Sequence, residues 1–154
     1  MVRATSQLTT TIICTAGRRR PTLKLLADTS ALLALVVQTE ANHREAVRFI
    51  KQNQHTRFVV TELILGELVT RVRALRGAAK AVEVAEDLLG SSRHEFVFVD
   101  LELIHGAIAR MAQFSDKRLS LTDCASFELM ERLGIDTAFT FDRDFRDCGF
   151  RKVP

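Results

Sequence analysis

Short apolar segments alternate with helix-like segments along most of this chain, and this alternation constrains the fold more than any other feature. The segments TLKLLAD, RFVVT, EFVFVD and DTAFTFD have the composition of buried strands, and the final residues, CGFRKVP, suggest a fifth strand at a sheet edge. Strands separated by helices form βαβ units, which pair in parallel and carry helices on both faces. The pattern predicts an α/β fold: a three-layer α/β/α sandwich around a mainly parallel sheet of four to five strands.

The charge of the chain is unevenly distributed. Residues 1–27 contain five basic and no acidic side chains, which leaves a net charge of −2 on residues 28–154. Because blocks of like charge are usually solvated, we expect residues 1–22 to be a basic, disordered N-terminal extension and residues 23–154 to be a single domain. Three alternatives stay open for the extension: an arm that touches phosphates, a start codon assigned too far upstream, and an organellar transit peptide.

Cysteine usage and hydropathy bear on the cellular compartment. The chain has three cysteines and no CxxC spacing, which argues against a disulfide framework or a zinc site and fits a reducing compartment. No apolar run approaches the length of about 18 residues that a membrane helix needs. We therefore expect a cytoplasmic protein without a membrane partner.

Acidic residues recur where predicted strands give way to helices. Asp28, Asp100 and Asp142 directly follow strands, Asp123 lies in the first turn of a helix, and Glu67 lies in the second helical turn after RFVVT. Ligands of open α/β sheets bind beyond the carboxyl ends of the strands. Carboxylates gathered there without a fixed positive partner are stable only when protonated or when they bind hard cations such as Mg²⁺ or Mn²⁺. Hydrolysis of phosphodiester bonds needs such a site.

Each carboxylate also has a purely structural explanation. Asp28 and Asp142 precede helices and would serve as N-caps, and we expect Asp100 to be a cap and nothing more. Asp123 fits a capping box that begins at Ser120. These alternatives carry about equal weight for any one residue, and only convergence in the fold would favour a functional site.

Glu67 differs from the others because it lies too deep in its helix to act as a cap. Its structural alternative is an exposed ion pair with Arg71, four residues on, worth about 0.3–0.5 kcal/mol. Among the histidines, His43 begins an amphipathic helix and is expected to be structural, and no pair of histidines has metal-ligand spacing.

The segments that contain these carboxylates resemble the motifs of a known family. DTSALLAL followed by NHREA resembles the opening of PIN (PilT N-terminal) domains, and VTELILGEL resembles their second motif. LSLTDCASFELMERLGIDTAFTFDRDF closely resembles the C-terminal signature of VapC-type toxin ribonucleases. The three segments follow the family's order and spacing, and the resemblance covers residues 23–154.

The resemblance implies a PIN-like nuclease domain: an endoribonuclease that uses Mg²⁺ or Mn²⁺ to hydrolyse RNA phosphodiester bonds. It also implies that the chain is the toxin of a toxin–antitoxin pair, that it forms a homodimer, and that a small antitoxin protein inserts into its active-site groove. By position, the family's acidic quartet falls on Asp28, Glu67, Asp123 and Asp142, a water-mediated metal contact on Asp144, and supporting hydroxyl residues on Thr29, Ser30 and Thr140.

Two other classes of function stay open at the level of sequence. The first is a catalytically silent PIN-fold scaffold that binds RNA or protein. The second is an enzyme that acts on DNA or on a phosphate monoester. Asp28 is followed by Thr29 and Ser30 rather than by a second aspartate at two residues' distance, which argues against an aspartyl-phosphate phosphatase. The sequence does not identify the RNA target.

Overall fold

The computed structural model describes residues 23–154, so the predicted basic extension at residues 1–22 lies outside the described residues. The strands are β1 (Lys24–Ala27), β2 (Arg57–Thr61), β3 (His94–Val97), β4 (Thr137–Phe139) and β5 (Arg151–Val153). The helices are α1 (Thr29–Val36), α2 (His43–Gln52), α3 (Glu62–Arg76), α4 (Ala78–Gly90), α5 (Leu101–Gln113), α6 (Leu121–Leu133) and α7 (Asp144–Asp147).

The five strands form one parallel sheet in the order β3-β2-β1-β4-β5. The chain builds outward from β1 through β2 to β3 and then crosses back to add β4 on the other side of β1. Leu26 in β1 accordingly pairs with Val59 in β2 and with Ala138 in β4. The reversal makes the carboxyl ends of β1 and β4 the topological switch point, where open parallel sheets bind ligands. The predicted parallel sheet and the predicted edge strand at the C-terminus are both confirmed.

Helices cover both faces of the sheet, as right-handed crossovers require. On one face, α1 packs against α2 and α3, and α3 packs against α4; on the other, α5 packs against α6. Each face has its own aromatic contacts: the rings of Phe49 and Phe139 stack at 5.0 Å, and those of Phe127 and Phe145 meet edge-on at 4.8 Å. Within residues 23–154, no helix is long and apolar enough to cross a membrane.

Two strands end three residues before the predicted end, and a side-chain hydrogen bond lies just beyond each of them. DTAFTFD was expected to be extended throughout, but β4 ends at Phe139, and the following residue, Thr140, directs its hydroxyl to the side chain of Asp28. EFVFVD was expected to run to Asp100, but β3 ends at Val97. Beyond it, both carboxylate oxygens of Glu62 accept hydrogen bonds from the backbone N–H of Val99, at 2.8 and 3.1 Å.

Candidate active site

Asp28 lies at the centre of the candidate site, between the carboxyl end of β1 and the first turn of α1. The apolar strand before it buries the residue to 5% exposure. Its Oδ2 atom accepts hydrogen bonds from the N–H and the hydroxyl of Ser30, at 3.2 and 2.6 Å, and from the hydroxyl of Thr140 at 2.7 Å. Burial raises the pKa of the Asp28 carboxyl, and these hydrogen bonds partly oppose that shift. The residue is thus the N-cap of α1 and also a buried acid at the switch point of the sheet.

The segment after β4 is fastened to the turn between β1 and α1 by the same hydroxyls. The Thr140 hydroxyl accepts a hydrogen bond from the N–H of Asp142 at 2.9 Å, and the Ser30 hydroxyl accepts one from the N–H of Phe141 at 3.0 Å. Thr140 is fully buried. Because each hydroxyl serves one residue from each segment, the positions of Asp28 and Asp142 depend on each other. The structure therefore brings together two carboxylates that are far apart in the sequence.

Asp123 occupies the first turn of α6 and forms the predicted capping box with Ser120. Its Oδ2 atom accepts hydrogen bonds from the N–H and hydroxyl of Ser120, at 2.8 and 2.7 Å. Burial raises the pKa of the Asp123 carboxyl, and the negative charges of Asp28 and Asp142 raise it further. The capping role is confirmed. Asp123 nevertheless belongs to the site as well, because its carboxyl lies close enough to Asp28 and Asp142 for their charges to act on it.

Glu67 and Asp144 join the cluster from either side. The hydroxyl of Thr29, the residue after Asp28, donates a hydrogen bond to Glu67 Oε2 at 3.2 Å. The predicted ion pair with Arg71 is also present, but it is loose, with 3.7 Å between the nearest nitrogen and oxygen. At the other side, the N–H of Asp144 donates to Oδ1 of Asp142 at 2.9 Å. Glu67 and Asp144 are thus each linked by a hydrogen bond to a residue beside or within the pair of Asp28 and Asp142.

The cluster has few positive partners. Residues 23–154 contain ten ion pairs, and none of them includes Asp28, Asp123, Asp142 or Asp144. Crowded carboxylates of this kind, supplied only with oxygen donors, fit a hard divalent cation. In the described part of the chain, no three acidic, histidine or cysteine side chains already stand at metal-binding distance. The carboxylates are therefore close enough for their charges to interact, but they are not arranged as a complete coordination shell.

Other candidate residues have structural roles. Asp100 caps α5, accepting a hydrogen bond from the N–H of Leu103 at 2.7 Å, and pairs with Arg132. His43 bonds through Nδ1 to the carbonyl of Ala34 at 2.8 Å. Cys124 is fully buried beside Asp123, and burial raises the pKa of its thiol to about 11, which does not suit a nucleophile.

One contributor to the site's edge was missed at the level of sequence. From the sequence, Glu62 is explained by its position in the first turn of a helix, where an acidic side chain favours the helix dipole. In the structure, its carboxylate accepts hydrogen bonds from the N–H of Val99 and so holds the connection between β3 and α5 against the start of α3. The two residues are separated by 37 positions, and no local pattern marks the pair.

Comparison with known proteins shows the family of this chain. The PIN domain family matches residues 25–151. The 23S rRNA-specific endonuclease VapC20 of Mycobacterium tuberculosis, strain H37Rv, is 31% identical over 130 residues, which cover 84% of this chain and 97% of that protein. The same protein from strain CDC 1551 matches equally well. The crystal structure of Mycobacterium tuberculosis VapC20, a sarcin-ricin loop cleaving toxin, superimposes with a TM-score of 0.76 at 28% identity, covering 82% of this chain and 95% of that one.

The chain therefore belongs to the PIN domain family. Within that family it is a VapC-type endoribonuclease, an enzyme that hydrolyses RNA. The resemblance noted in the sequence motifs is confirmed, and so is the predicted PIN-like α/β/α fold.

Proposed function

We propose that this enzyme cleaves RNA through a divalent cation, Mg²⁺ or Mn²⁺, held by Asp28, Glu67, Asp123 and Asp142. The observation that carries the proposal is the burial of Asp28 beside Asp123 and Asp142 with no lysine or arginine paired to any of the three within residues 23–154. A bound cation supplies a water molecule of lowered pKa and offsets the charge of the phosphate. No protein nucleophile is needed.

The protein's own groups have distinct tasks in this proposal. Asp28 is the central ligand. The hydroxyls of Ser30 and Thr140 donate their hydrogen bonds to its Oδ2 atom and not to Oδ1, which can face the cation. Asp142 is positioned by the same threonine through its backbone. Because these contacts join β1 to the segment after β4, binding a cation requires little reorganisation of that pair.

The remaining ligands come from two helices on opposite faces of the sheet. Glu67 is held by Thr29 on α1, and Asp123 is held at the start of α6 by Ser120. Asp144 is proposed to contact the cation through a water molecule, since its backbone N–H already bonds to Asp142. Arg71 is loosely paired with Glu67, so it can exchange that contact for a phosphate of the substrate.

Ribosomal RNA is the substrate class that we propose first. The relative VapC20 is described as specific for 23S rRNA and as cleaving the sarcin-ricin loop, and it matches most of this chain in both sequence and shape. We also propose that the chain is the toxin of a toxin–antitoxin pair and is silenced by an antitoxin protein. A cytoplasmic location belongs to the same proposal, because ribosomal RNA is found there.

A homodimer is part of this proposal as well. Exposed apolar side chains that a second copy could cover lie along α5 and just before it: Phe98 is 76% exposed, Leu101 70% and Ile108 52%. Contiguous exposed apolar residues commonly mark an interface. Light scattering after size-exclusion chromatography tests this point, and a monomeric mass at micromolar concentration would refute it.

Cleavage of labelled ribosomal RNA in Mn²⁺, and again in EDTA, tests the proposed chemistry. We expect wild-type protein to cut in Mn²⁺ and to stop in EDTA. Cleavage that persists in EDTA would refute the role of the cation. If the protein cuts no RNA and binds no Mn²⁺ at millimolar concentration in calorimetry, the catalytically silent scaffold is the correct description. Cleavage of DNA at a comparable rate would widen the substrate class.

A further inference from the structure

The most basic stretch of the described chain begins one helical turn beyond Glu67. Residues 71–80, RVRALRGAAK, carry four basic side chains and no acidic one, whereas residues 23–154 as a whole contain 18 basic and 19 acidic side chains. The stretch covers the end of α3, the turn at Gly77 and the start of α4. A local excess of this size on a nearly neutral domain makes one surface strongly positive.

Two of these four cations are exposed and unpaired within residues 23–154, and the other two form ion pairs. Arg73 and Arg76 are exposed, and within the part of the chain that the structure describes neither forms an ion pair. Arg71 is held only loosely by Glu67, at 3.7 Å, and Lys80 is paired with Glu83. The basic stretch thus offers at least two uncompensated guanidinium groups to solvent.

The basic stretch lies farther along α3 than the acidic cluster and reaches the other side of the helix. Arg76 is nine positions after Glu67, which corresponds to about two and a half turns and about 14 Å of helix. Beyond Arg71, an open cleft of about 390 Å³ is lined by Val36, Gln38, Arg76 and Lys80. A polar cleft of this size with two cationic walls is suited to a phosphate and its attached sugar.

We propose that Arg73, Arg76 and Lys80 form a track that binds the phosphates of RNA extending around α3 from the cleavage site. The inference rests on the proposed function and deepens it, because it assigns the surface that holds the substrate's backbone. Arginine binds phosphate through two parallel N–H donors. Such contacts carry no base specificity; they set the register of the RNA on the enzyme.

A simpler explanation accounts for part of the pattern. Arg73 and Arg76 lie in the last turn of α3, where cations favour the negative end of the helix dipole. That role predicts a change in protein stability when the arginines are removed, but no change in how RNA binding responds to salt. A phosphate track predicts the opposite, because each phosphate contact releases counterions from the nucleic acid.

The deciding experiment measures RNA binding against salt concentration. Labelled synthetic RNA stem–loop of the sarcin-ricin type is titrated by fluorescence anisotropy in KCl between about 50 and 200 mM, using an Asp28→Asn background so that the RNA is not cut. The test protein carries Arg73→Gln and Arg76→Gln. The matched control carries Arg44→Gln and Arg48→Gln, which removes two exposed cations of α2 that form no ion pair within the described residues and do not line the cleft.

We expect the plot of log Kobs against log salt to become shallower by about 1.4 in the test protein, since each single-strand phosphate contact contributes about 0.7. The control should keep the parental slope. With Asp28 restored, the test protein should cleave with a raised KM and an unchanged kcat. Equal slopes for the test and control proteins would overturn the track, and this outcome would also be expected if the surface serves an acidic protein partner.

Failure of the track and failure of the proposed function give different results. If the wild type does not cleave RNA but the binding slopes differ as expected, the chemistry is wrong and the track is correct. If the wild type cleaves RNA and the slopes of the test and control proteins coincide, the chemistry stands and the track is wrong.

Discussion

Replacing Thr140 with valine removes the hydroxyl that joins the two halves of the site while keeping the branched shape of the side chain. That hydroxyl donates to Asp28 Oδ2 at 2.7 Å and accepts from the N–H of Asp142 at 2.9 Å, and the residue is fully buried. In the Thr140→Val protein, Asp28 loses one of its donors and the Asp142 N–H loses its acceptor.

The structure sets the size of the effect. A hydrogen bond to a charged group contributes about 1.5–3 kcal/mol, and a polar group left without a partner in the interior costs about 1–3 kcal/mol. Because the segment after β4 can relax toward solvent, we expect a combined loss of about 3 kcal/mol. A domain of this size is stable by about 5–15 kcal/mol, so the variant should still fold. Thr140→Ser keeps the hydroxyl and loses one methyl group, at a cost of about 1 kcal/mol.

Urea unfolding followed by circular dichroism, in metal-free buffer at neutral pH, measures both losses. The valine variant should also cleave RNA far more slowly than the serine variant, because Asp28 and Asp142 would no longer be held together. The reasoning is refuted if the valine variant is as stable as the wild type. It is equally refuted if valine and serine cost the same, since the methyl group and not the hydroxyl would then be responsible.

Three further predictions concern other parts of the structure. Burial lowers the pKa of His94 below its ordinary value of 6.5, so the unfolded chain takes up a proton first as the pH falls; stability should therefore decrease below about pH 6.5, and urea unfolding of His94→Gln should show a weaker dependence on pH. Ser120→Ala removes the cap of α6 and should cost about 1 kcal/mol in the same assay while slowing cleavage through Asp123; unchanged stability would contradict the capping box. Asp28→Asn should leave stability unchanged or raised without metal, and Mn²⁺ should raise the Tm of the wild type but not of this variant.

Local patterns were sufficient to predict the elements and several carboxylate roles. The apolar runs around Leu25, Val59 and Ala138 correctly indicated parallel strands, because only buried strands of a helix-covered sheet are apolar on both sides. The capping box of Asp123 with Ser120 and the cap at Asp100 were also predicted, because such motifs lie within four residues of sequence.

Contacts between distant residues could not be predicted in the same way. Thr140 bonds to Asp28 across 112 positions, and Thr29 bonds to Glu67 across 38. Nothing in either local sequence specifies its partner, since the contact exists only once the strand order is set. That order, with β4 returning beside β1, depends on packing over the whole chain. The positions of the carboxylates at strand ends made them candidates, the family resemblance selected the quartet, and the hydrogen bonds between them were not predicted.

The most direct test of the central claim compares four proteins in single-turnover cleavage of ribosomal RNA with Mn²⁺: the wild type, Asp28→Asn, Asp142→Asn and Asp100→Asn. The last is a matched control, because Asp100 follows β3 at the same edge of the sheet but only caps α5 and pairs with Arg132. The account predicts that cleavage is lost in the first two variants and retained in the third. Cleavage by Asp28→Asn at the wild-type rate would contradict it.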